Sequence, residues 1–328
     1  MKSWFNIFNE VSVNPIVRSR VVNIMKCHLI KKETDMTLAL TPLSASFGAE
    51  VDSIDLSRPL SSAEVGIVDE AMARYGVLVF RSQRLTPHDQ LRFAQYFGNL
   101  DLGFKKASRS PNRLGQEHVL DISNVDESGN VAARSHRKII GNLANQLWHS
   151  DSSFQNPPAR YSMLHAVELP PSGGETEFAD VCEAYDCLSE TMKQQLQGLH
   201  AEHWALHSRF LLGDTDYTEE QRLAIPPVSW PVVREHPISR RKLLFIGAHA
   251  SHIEELSIAE GRLMLMDLLE HATQPRFVYR HSWKPGDVVM WDNRSTLHRG
   301  RPFNLSVRRE LRRTTTLEES APYARQST

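Results

Sequence analysis

Hydrophobic and polar positions in the first third of the chain alternate between helical spacing and short, fully apolar runs. Ser61 and Glu64 form a capping box, which predicts a helix over 61–75. The apolar run Val77–Phe80 follows directly and predicts a buried strand. A threonine N-cap with a proline in the first turn predicts a second helix over 86–98.

The rest of the chain predicts mostly strands, interrupted by two helices. A Pro-Pro-Ser-Gly-Gly turn leads into a strand over 175–178. Apolar runs bounded by turn residues predict further strands over 277–280, 288–291 and 307–316. Helical spacing predicts helices over 183–198 and 257–271. In the second of these helices, four residues are expected to face inward: Leu263, Met266, Leu268 and Leu269.

This order of elements indicates a mainly β fold with flanking helices, and we expect a jelly roll, that is, a double-stranded β-helix. The mouth of such a barrel brings side chains from distant strands together. Residues 1–35 have a mixed pattern that does not continue this periodicity. We expect them to be an N-terminal extension outside the core, and residues 36–328 to form a single domain. The alternative is that the first segment is a short helix that packs on that domain.

The composition is that of a soluble globular protein, since 41% of the 328 residues are hydrophobic and 23% are charged. A formal net charge of -1 provides no basic field to attract nucleic acid or an anionic membrane. The three cysteines have no metal-binding spacing and are odd in number, which favours a reducing compartment. No apolar run approaches the length of a membrane span. We therefore expect a cytoplasmic protein that binds small molecules, with homo-oligomer formation left open.

The tripeptide His-x-Asp/Glu occurs three times, and alone it is weak evidence of a metal site. About two copies are expected by chance from 15 histidines and 39 acidic residues in 328 positions. The three pairs are His200 with Glu202, His252 with Glu254, and His149 with Asp151. Residues at i and i+2 share a face only in extended chain. The first pair follows an apparent helix and the second precedes a helix start. The third lies in a stretch without helical periodicity and is followed, far downstream, by a histidine at a strand end and an arginine-bearing strand.

His149, Asp151 and His298 together offer two imidazoles and one carboxylate. On one face of an octahedral ion, this set leaves three positions open, which is what an Fe(II) oxygenase needs. A bidentate keto-acid would take two of those positions and O2 the third. Zinc with three ligands and a water is the weaker alternative. The structural alternative is that His149 is a satisfied core histidine and His298 a surface one.

Arginines alternate along the last predicted strand, where Arg309 and Arg313 share one face. Guanidinium groups at these positions lie about 13–14 Å apart along a strand that rises roughly 3.3 Å per residue. They are too far apart to hold one small carboxylate, but they can hold two different acids. Arginine suits this role because it pairs with a carboxylate bidentately. A keto-acid clamp also disfavours a zinc hydrolase, whose water needs none, although a solvated strand face remains the structural alternative.

Six longer segments resemble the taurine dioxygenase group of Fe(II)/2-oxoglutarate oxygenases, and they are far more specific than the tripeptide. The segments are NQLWHSDSSFQNPPARYSML (145–164), PPSGGETEF (170–178), SRFLLGDTDY (208–217), LLFIGAHASH (243–252), YRHSWKPGDVVMWDNRSTLHRGRPF (279–303) and RRELRRTTTLEE (308–319). The likeness runs from about Leu38 to Leu317, so it begins only after Met36. Nearly the whole chain apart from the N-terminal segment is covered.

The resemblance implies the jelly-roll fold and a set of cofactors. His149, Asp151 and His298 would be the metal ligands and the catalytic centre, with iron as Fe(2+). The co-substrates would be 2-oxoglutarate and O2, and ascorbate would stimulate turnover.

The resemblance also assigns the acid-binding residues. Arg309 would bind the distal carboxylate of 2-oxoglutarate, and Thr176 would hydrogen-bond to the same carboxylate. Arg313 would bind the anionic end of the substrate, and Lys106 would lie on the substrate side. The alternatives are a strand-favouring threonine at 176 and a surface lysine at 106.

The implied reaction is hydroxylation of the side-chain methylene of an aryloxyacetate such as 2,4-dichlorophenoxyacetate. Its products would be the phenol, glyoxylate, succinate and CO2. One alternative is the same chemistry on a sulfonate, an alkyl sulfate, an aryloxypropionate or a cinnamate-like acid. The other is a metal-binding jelly-roll sensor without turnover, which should lack the arginine and threonine of the 2-oxoglutarate site.

Removal of residues 1–35 is predicted to leave folding and turnover unchanged, because their pattern neither continues the core periodicity nor matches the family. A chain that begins at Met36 should therefore match the full chain in thermal melting and in specific activity. A large loss of thermal stability would show instead that the segment packs on the domain.

Overall fold

The computed structural model describes residues 38–44, 47–103 and 113–319, together with the backbone of Arg325–Gln326. The predicted extension over 1–35 and Lys106 both lie outside the described residues. The described part of the chain is mainly β-sheet with helices, as predicted. None of its helices is both long enough and apolar enough to cross a membrane.

The strands within the described residues follow the chain from β1 to β16. They are β1 (Ala39–Pro42), β2 (Ala49–Asp52), β3 (Val77–Phe80), β4 (Leu120–Ser123), β5 (Ala159–Glu168), β6 (Thr176–Asp180), β7 (His200–His203), β8 (Val228–Pro231), β9 (Val233–Glu235), β10 (Lys242–Leu244), β11 (Ala250–Ile253), β12 (Val278–His281), β13 (Val288–Asp292), β14 (Thr296–Gly300), β15 (Glu310–Leu317) and β16 (Arg325–Gln326).

The helices are distributed between the strands. They are α1 (Ser62–Tyr75), α2 (Pro87–Gln95), α3 (Arg137–Asn142), α4 (Val181–Asp186), α5 (Glu190–Gln195), α6 (His207–Phe210), α7 (Glu219–Leu223) and α8 (Ile258–Ala272), with short 3₁₀ turns at Leu143–Gln146 and Pro275–Phe277. Capping boxes form at Ser61, Thr86 and Ser257, so the predicted starts of α1, α2 and α8 are confirmed.

The largest sheet has seven strands in the order β1-β2-β3-β13-β5-β15-β4. Its neighbouring strands are antiparallel except for the parallel pair β2 and β3. A three-stranded sheet has the order β12-β6-β14, and a four-stranded sheet the order β11-β7-β8-β16. Strands β9 and β10 form a separate hairpin pair.

Strand β3 and residues 288–291 of β13, in the middle of the seven-stranded sheet, are apolar because both of their faces are buried. Leu78 and Phe80 of β3 belong to a core cluster shared with α1 and α2. Val77 and Val79 of the same strand belong to a second cluster, to which β6 of the three-stranded sheet contributes Phe178. Strand β13 divides its residues between the same two clusters. The two sheets therefore face each other across an apolar layer, and helices cover the other side of the larger sheet.

The predicted helix over 183–198 is wrong, because the chain forms two shorter helices there. Asp180 caps α4 by accepting hydrogen bonds from the backbone N–H groups of Cys182 and Glu183. Ser189 caps α5 by accepting one from the N–H of Met192. A second N-cap inside the predicted span ends the first helix and starts another. Other boundaries differ by a few residues, since α2 ends at Gln95 and β15 begins at Glu310.

The predicted inward face of α8 is partly wrong. Leu268 is buried, but Leu263 and Met266 are 60% and 66% exposed. The cause is Gly261, where an added Cβ would lie 2.7 Å from the backbone nitrogen of Ile253 in β11. This close approach of helix to strand fixes the rotation of α8, so that Leu265 turns inward.

Replacement of Leu268 by alanine should lower the free energy of unfolding by about 2–5 kcal/mol, because it leaves a cavity in the core under α8. Leu263→Ala, on the exposed face of the same helix, is the matched control and should change it by less than about 0.5 kcal/mol. Urea unfolding of both variants measures the difference. Equal destabilisation by the two substitutions would contradict the orientation of α8.

Candidate metal centre

The two histidines predicted to share a site are joined by their backbones. His149 donates its N–H to the carbonyl of His298 at 3.0 Å, and His298 donates back to His149 at 2.9 Å. This isolated antiparallel bridge ties the segment after α3 to the middle of β14. The two imidazole rings consequently lie with their centroids 4.2 Å apart.

Both imidazoles are buried and held in the neutral form. Nδ1 of His149 donates to the carbonyl oxygen of Leu147 at 2.7 Å, because that oxygen can only accept. The Nε2 atom of His149 therefore carries the lone pair that a metal needs. Burial lowers the pKa of His149, and it lowers the pKa of His298 well below the ordinary value. Neutral rings in this position are suited to metal binding, which requires deprotonated nitrogen.

Asp151 completes the group that the sequence predicted. Its Oδ1 lies 3.8 Å from Nε2 of His149, and its Oδ2 lies 3.7 Å from Nε2 of His298. The three ligand atoms all lie within 4.8 Å of one another, so the group could hold one metal ion. Burial would raise the pKa of Asp151, but the Arg313 guanidinium and the hydrogen bond from the Ser162 hydroxyl lower it below its usual range. The carboxylate is therefore ionised and, with two neutral imidazoles, matches the donor set that suits Fe(II).

The other two His-x-Asp/Glu pairs form no such group. His200 pairs with Glu255, and His252 lies 3.8 Å from Glu202 across β7 and β11. Within the described ranges of the chain, the group around Asp151 is the one cluster of three or more potential ligands. The choice among the three tripeptides made from sequence is consistent with this geometry.

Beside the two histidines lies a cavity of about 110 Å³. Its walls bring together the residues predicted to bind acids with several apolar side chains. The lining includes His149, His298, Thr176, Arg309 and Arg313, together with Ile122, Ile139, Leu164, Trp291, Phe303 and Leu305. The predicted shared face of the two arginines is thus present, since both reach the same cavity.

Arg309 is a buried cation without an acidic partner among the described residues. Its Nη2 donates to the carbonyl of Gly174 at 2.9 Å, and its Nε has no hydrogen-bond partner. Burial lowers its pKa to about 10, so the guanidinium remains charged at neutral pH. An uncompensated buried charge is costly and is normally paired. A cation kept in this way beside a cavity is suited to binding an anion there.

The Gly-Gly turn is what lets Arg309 reach this position. Gly174 has φ +74°, and a Cβ there would lie 2.8 Å from Nε of Arg309. Thr176 follows at the start of β6, and its hydroxyl accepts a hydrogen bond from the indole N–H of Trp283 at 3.1 Å. Since an indole can only donate, the proton of the Thr176 hydroxyl is left to donate to another acceptor.

Arg313 makes a contact that the sequence analysis did not anticipate. Its Nη1 donates to Oδ1 of Asp151 at 2.6 Å, so it lies against the candidate metal ligand. The other oxygen of Asp151 accepts a hydrogen bond from the hydroxyl of Ser162 at 2.7 Å. Ser162 is a small polar residue within the buried run of β5, and that feature of the sequence could have marked it.

Comparison with known proteins places these features in context. The family model described as "Taurine catabolism dioxygenase TauD, TfdA family" matches residues 39–315. The chain is similar to the alpha-ketoglutarate-dependent 2,4-dichlorophenoxyacetate dioxygenase of Cupriavidus pinatubonensis, with 57% identity over 87% of this chain and 99% of the relative. It is also similar to the protein of that name from a Burkholderia species, strain RASC, with 60% identity over 83% and 91%.

A solved structure is also similar to this chain. The crystal structure of AAD-2 in complex with Mn(II) and N-oxalylglycine has a TM-score of 0.84 and 43% identity. The match covers 87% of this chain and 99% of that one.

Replacement of His298 by alanine should abolish binding of a divalent metal, because it removes one of three ligand atoms from the buried group. Titration calorimetry with Mn(II) measures the affinity directly. His249→Ala is the matched control, since this buried imidazole packs edge-on at 5.9 Å from His149 but lies outside the ligand group. Normal metal affinity in the His298 variant would contradict the assignment.

Proposed function

Because the chain belongs to the TauD, TfdA family of dioxygenases, we propose that it hydroxylates the side-chain methylene of 2,4-dichlorophenoxyacetate or a related aryloxyacetate. The chain is an oxidoreductase that depends on Fe(II) and 2-oxoglutarate. The observation that carries the choice of substrate is identity above one half, over most of their length, with two relatives named for that compound. The two arginines that line the cavity support binding of a small organic acid there.

We infer that the facing seven-stranded and three-stranded sheets are the two halves of a jelly roll. The apolar layer between them, with β14 and β15 on opposite sides, supports this arrangement. We also propose that residues 36–328 form one domain, because the family model spans residues 39–315 without interruption.

In this proposal His149, Asp151 and His298 hold Fe(II), which the donor set and its burial fit. Bound iron, with 2-oxoglutarate and O2, supplies the oxidising power that inserts one oxygen atom into a C–H bond while 2-oxoglutarate becomes succinate and CO2. The hydroxylated aryloxyacetate is a hemiacetal, and it breaks down to the phenol and glyoxylate. The protein's part is to bind both acids, to orient the methylene and to keep water out.

Arg309 and Thr176 are proposed to bind the distal carboxylate of 2-oxoglutarate. The guanidinium has no acidic partner among the described residues, and the threonine hydroxyl has a proton to donate. The neighbour that holds N-oxalylglycine, an analogue of 2-oxoglutarate, supports a site of this kind.

Arg313 is proposed to bind the carboxylate of the aryloxyacetate. Only its Nη1 is engaged with Asp151, and its Nε has no hydrogen-bond partner. The remaining donors of the guanidinium can therefore receive a second acid. Binding through the arginine that touches Asp151 would place the substrate beside the metal ligand.

Two rival functions are weaker. A binding protein or sensor without turnover has no need of a buried Arg309 that lacks an acidic partner among the described residues and lies next to the metal group. The same chemistry on another acid, such as an alkyl sulfate or an aryloxypropionate, is disfavoured because the relatives that are 57% and 60% identical are both named for an aryloxyacetate.

The test is release of succinate by the purified protein with Fe(II) and 2-oxoglutarate, with and without 2,4-dichlorophenoxyacetate. Substrate-dependent succinate together with stoichiometric phenol and glyoxylate is the expected result. A panel containing a sulfonate, an alkyl sulfate, an aryloxypropionate and a cinnamate then ranks the acids by kcat/KM. Faster turnover of one of these acids than of any aryloxyacetate would overturn the proposed substrate class.

Arg309→Ala should chiefly raise the KM for 2-oxoglutarate, whereas Arg313→Ala should chiefly raise the KM for the aryloxyacetate. Loss of a charged hydrogen bond costs about 1.5–3 kcal/mol, which corresponds to at least a roughly tenfold change in affinity. The Arg313 variant should also show 2-oxoglutarate decarboxylation that is uncoupled from substrate oxidation. Steady-state kinetics with each substrate varied in turn separates the two effects.

Arg312→Ala is the matched control for these variants. It lies on the same strand but pairs with Glu310 at 3.1 Å on the opposite face, so both KM values should stay near those of the unaltered protein. An unchanged aryloxyacetate KM in the Arg313 variant, or exchanged effects of Arg309 and Arg313, would contradict the two-anchor arrangement.

A further inference from the structure

The carboxylate of Asp151 rests on a small buried cluster of polar side chains beneath the candidate metal centre. We propose that Ser162 and Asn293 are positioning residues, which form a hydrogen-bond chain of fixed direction that orients Asp151 as a metal ligand. This inference rests on the proposed function, because it takes Asp151 to bind the metal. Neither side chain lies against the cavity, so their effect is exerted through Asp151 alone.

The side-chain amide of Asn293 determines the direction of the hydrogen-bond chain. Its Oδ1 lies 3.0 Å from the backbone N of Asp151 and 3.0 Å from Nε1 of Trp291. Both of these groups can only donate, so the atom between them must be the amide oxygen. The NH2 group is therefore on the other side, where Nδ2 lies 2.9 Å from Oγ of Ser162.

The hydroxyl of Ser162 continues the hydrogen-bond chain from Asn293 to the carboxylate of Asp151. Because the hydroxyl accepts from Asn293, its single proton is available for Oδ2 of Asp151, which lies 2.7 Å away and can only accept. Thr315 lies 3.1 Å from the same hydroxyl and can fill its second lone pair as a donor. Every polar atom in the chain then has a partner of the correct kind.

The surrounding backbone holds both residues in place. Ser162 lies on β5, between Trp291 of β13 and Thr315 of β15, so its strand is hydrogen-bonded on both sides. Asn293 lies in the turn between β13 and β14, and its own carbonyl accepts from the hydroxyl of Ser150 at 2.7 Å. Ser162 is 0% exposed and Asn293 1%, so water does not compete for these hydrogen bonds.

The hydrogen-bond chain and Arg313 together constrain the orientation of the Asp151 carboxylate. Ser162 donates to Oδ2 and Arg313 donates to Oδ1, so each oxygen is held from a different direction. Without the hydroxyl, only one of these restraints remains. Groups that orient a metal ligand in this way typically change metal affinity about 10- to 100-fold when they are removed.

The principal test is Ser162→Ala, with Mn(II) affinity measured by titration calorimetry in the absence of 2-oxoglutarate. Metal affinity should fall about 10- to 100-fold, while the melting temperature of the metal-free protein shows whether the fold is retained. The visible absorption of the anaerobic Fe(II)–2-oxoglutarate complex is a second readout, and it should shift or weaken because the ligand is reoriented. Retention of the affinity and the absorption of the unaltered protein would overturn the inference.

Thr315→Val is the matched control, since it also removes a buried hydroxyl that contacts Ser162 but does not contact Asp151. It should leave metal affinity within about twofold of the original, well below the effect expected at Ser162. A loss equal to that of the Ser162 variant would show that any disturbance of the cluster suffices, and the positioning role would then be wrong.

Asn293→Asp tests the direction of the chain independently of Ser162→Ala. The new carboxylate still accepts hydrogen bonds from the backbone N–H of Asp151 and the indole N–H of Trp291. It also accepts the hydroxyl proton of Ser162, which is then no longer donated to Oδ2 of Asp151. The added negative charge alone would strengthen metal binding, whereas loss of the donated proton weakens it. Weaker binding supports the inference, and unchanged or tighter binding overturns it.

The outcome for the unaltered protein separates this inference from the proposed function. If that protein binds no Fe(II) or Mn(II), the proposed function fails and the inference fails with it. If it binds metal and Ser162→Ala binds equally well, the inference alone is overturned.

Discussion

The pair of backbone hydrogen bonds between His149 and His298 is the constraint on which the site depends. His149 belongs to no regular strand, and these two bonds are what fix its segment beside β14. They set the spacing of the two imidazoles. Because Asp151 follows His149 closely along the chain, they also position the one carboxylate of the ligand group. His298, which is far along the chain from His149, is thereby placed close enough to His149 and Asp151 for all three to bind one metal ion.

The sheets around this bridge support it and shield it from water. One face of strands β3 and β13 is buried against α1 and α2, and the other face of both strands is buried against the three-stranded sheet. The turn that follows β13 carries Asn293, which accepts a hydrogen bond from the backbone N–H of Asp151, so a strand of the core ends beside the candidate metal centre. Sites held by strands in this way keep their geometry better than sites held by free loops. The candidate metal centre and the hydrophobic core therefore depend on the same strands.

Burial also determines the electrostatics of the cavity. The two imidazoles are neutral, while Asp151 is ionised and paired with Arg313. Arg309 remains charged although burial lowers its pKa to about 10. Keeping such a cation without an acid costs stability, and binding an anionic co-substrate would offset that cost. The conflict between stability and local chemistry is typical of a functional site.

Much of the molecule follows from local sequence. The capping boxes at Ser61, Thr86 and Ser257 determine where α1, α2 and α8 begin, because each cap satisfies backbone N–H groups a few residues away. Apolar runs such as Val77–Phe80 determine the buried strands. The tripeptide at 149–151 and the histidine at 298 predicted the group of three potential metal ligands. Strand periodicity predicted that Arg309 and Arg313 share a face, and both line the cavity.

Contacts between distant elements were decided only by the tertiary structure. The helical spacing of α8 allowed Leu263 and Met266 to face inward, but the close packing of Gly261 on β11 turned them to the surface. The sequence likewise placed Arg313 on the correct face but not against Asp151, and it gave no reason to connect Ser162 with Asn293. Periodicity specifies a face, whereas the rotation of a helix and the partner of a side chain depend on what packs opposite, which lies far away along the chain.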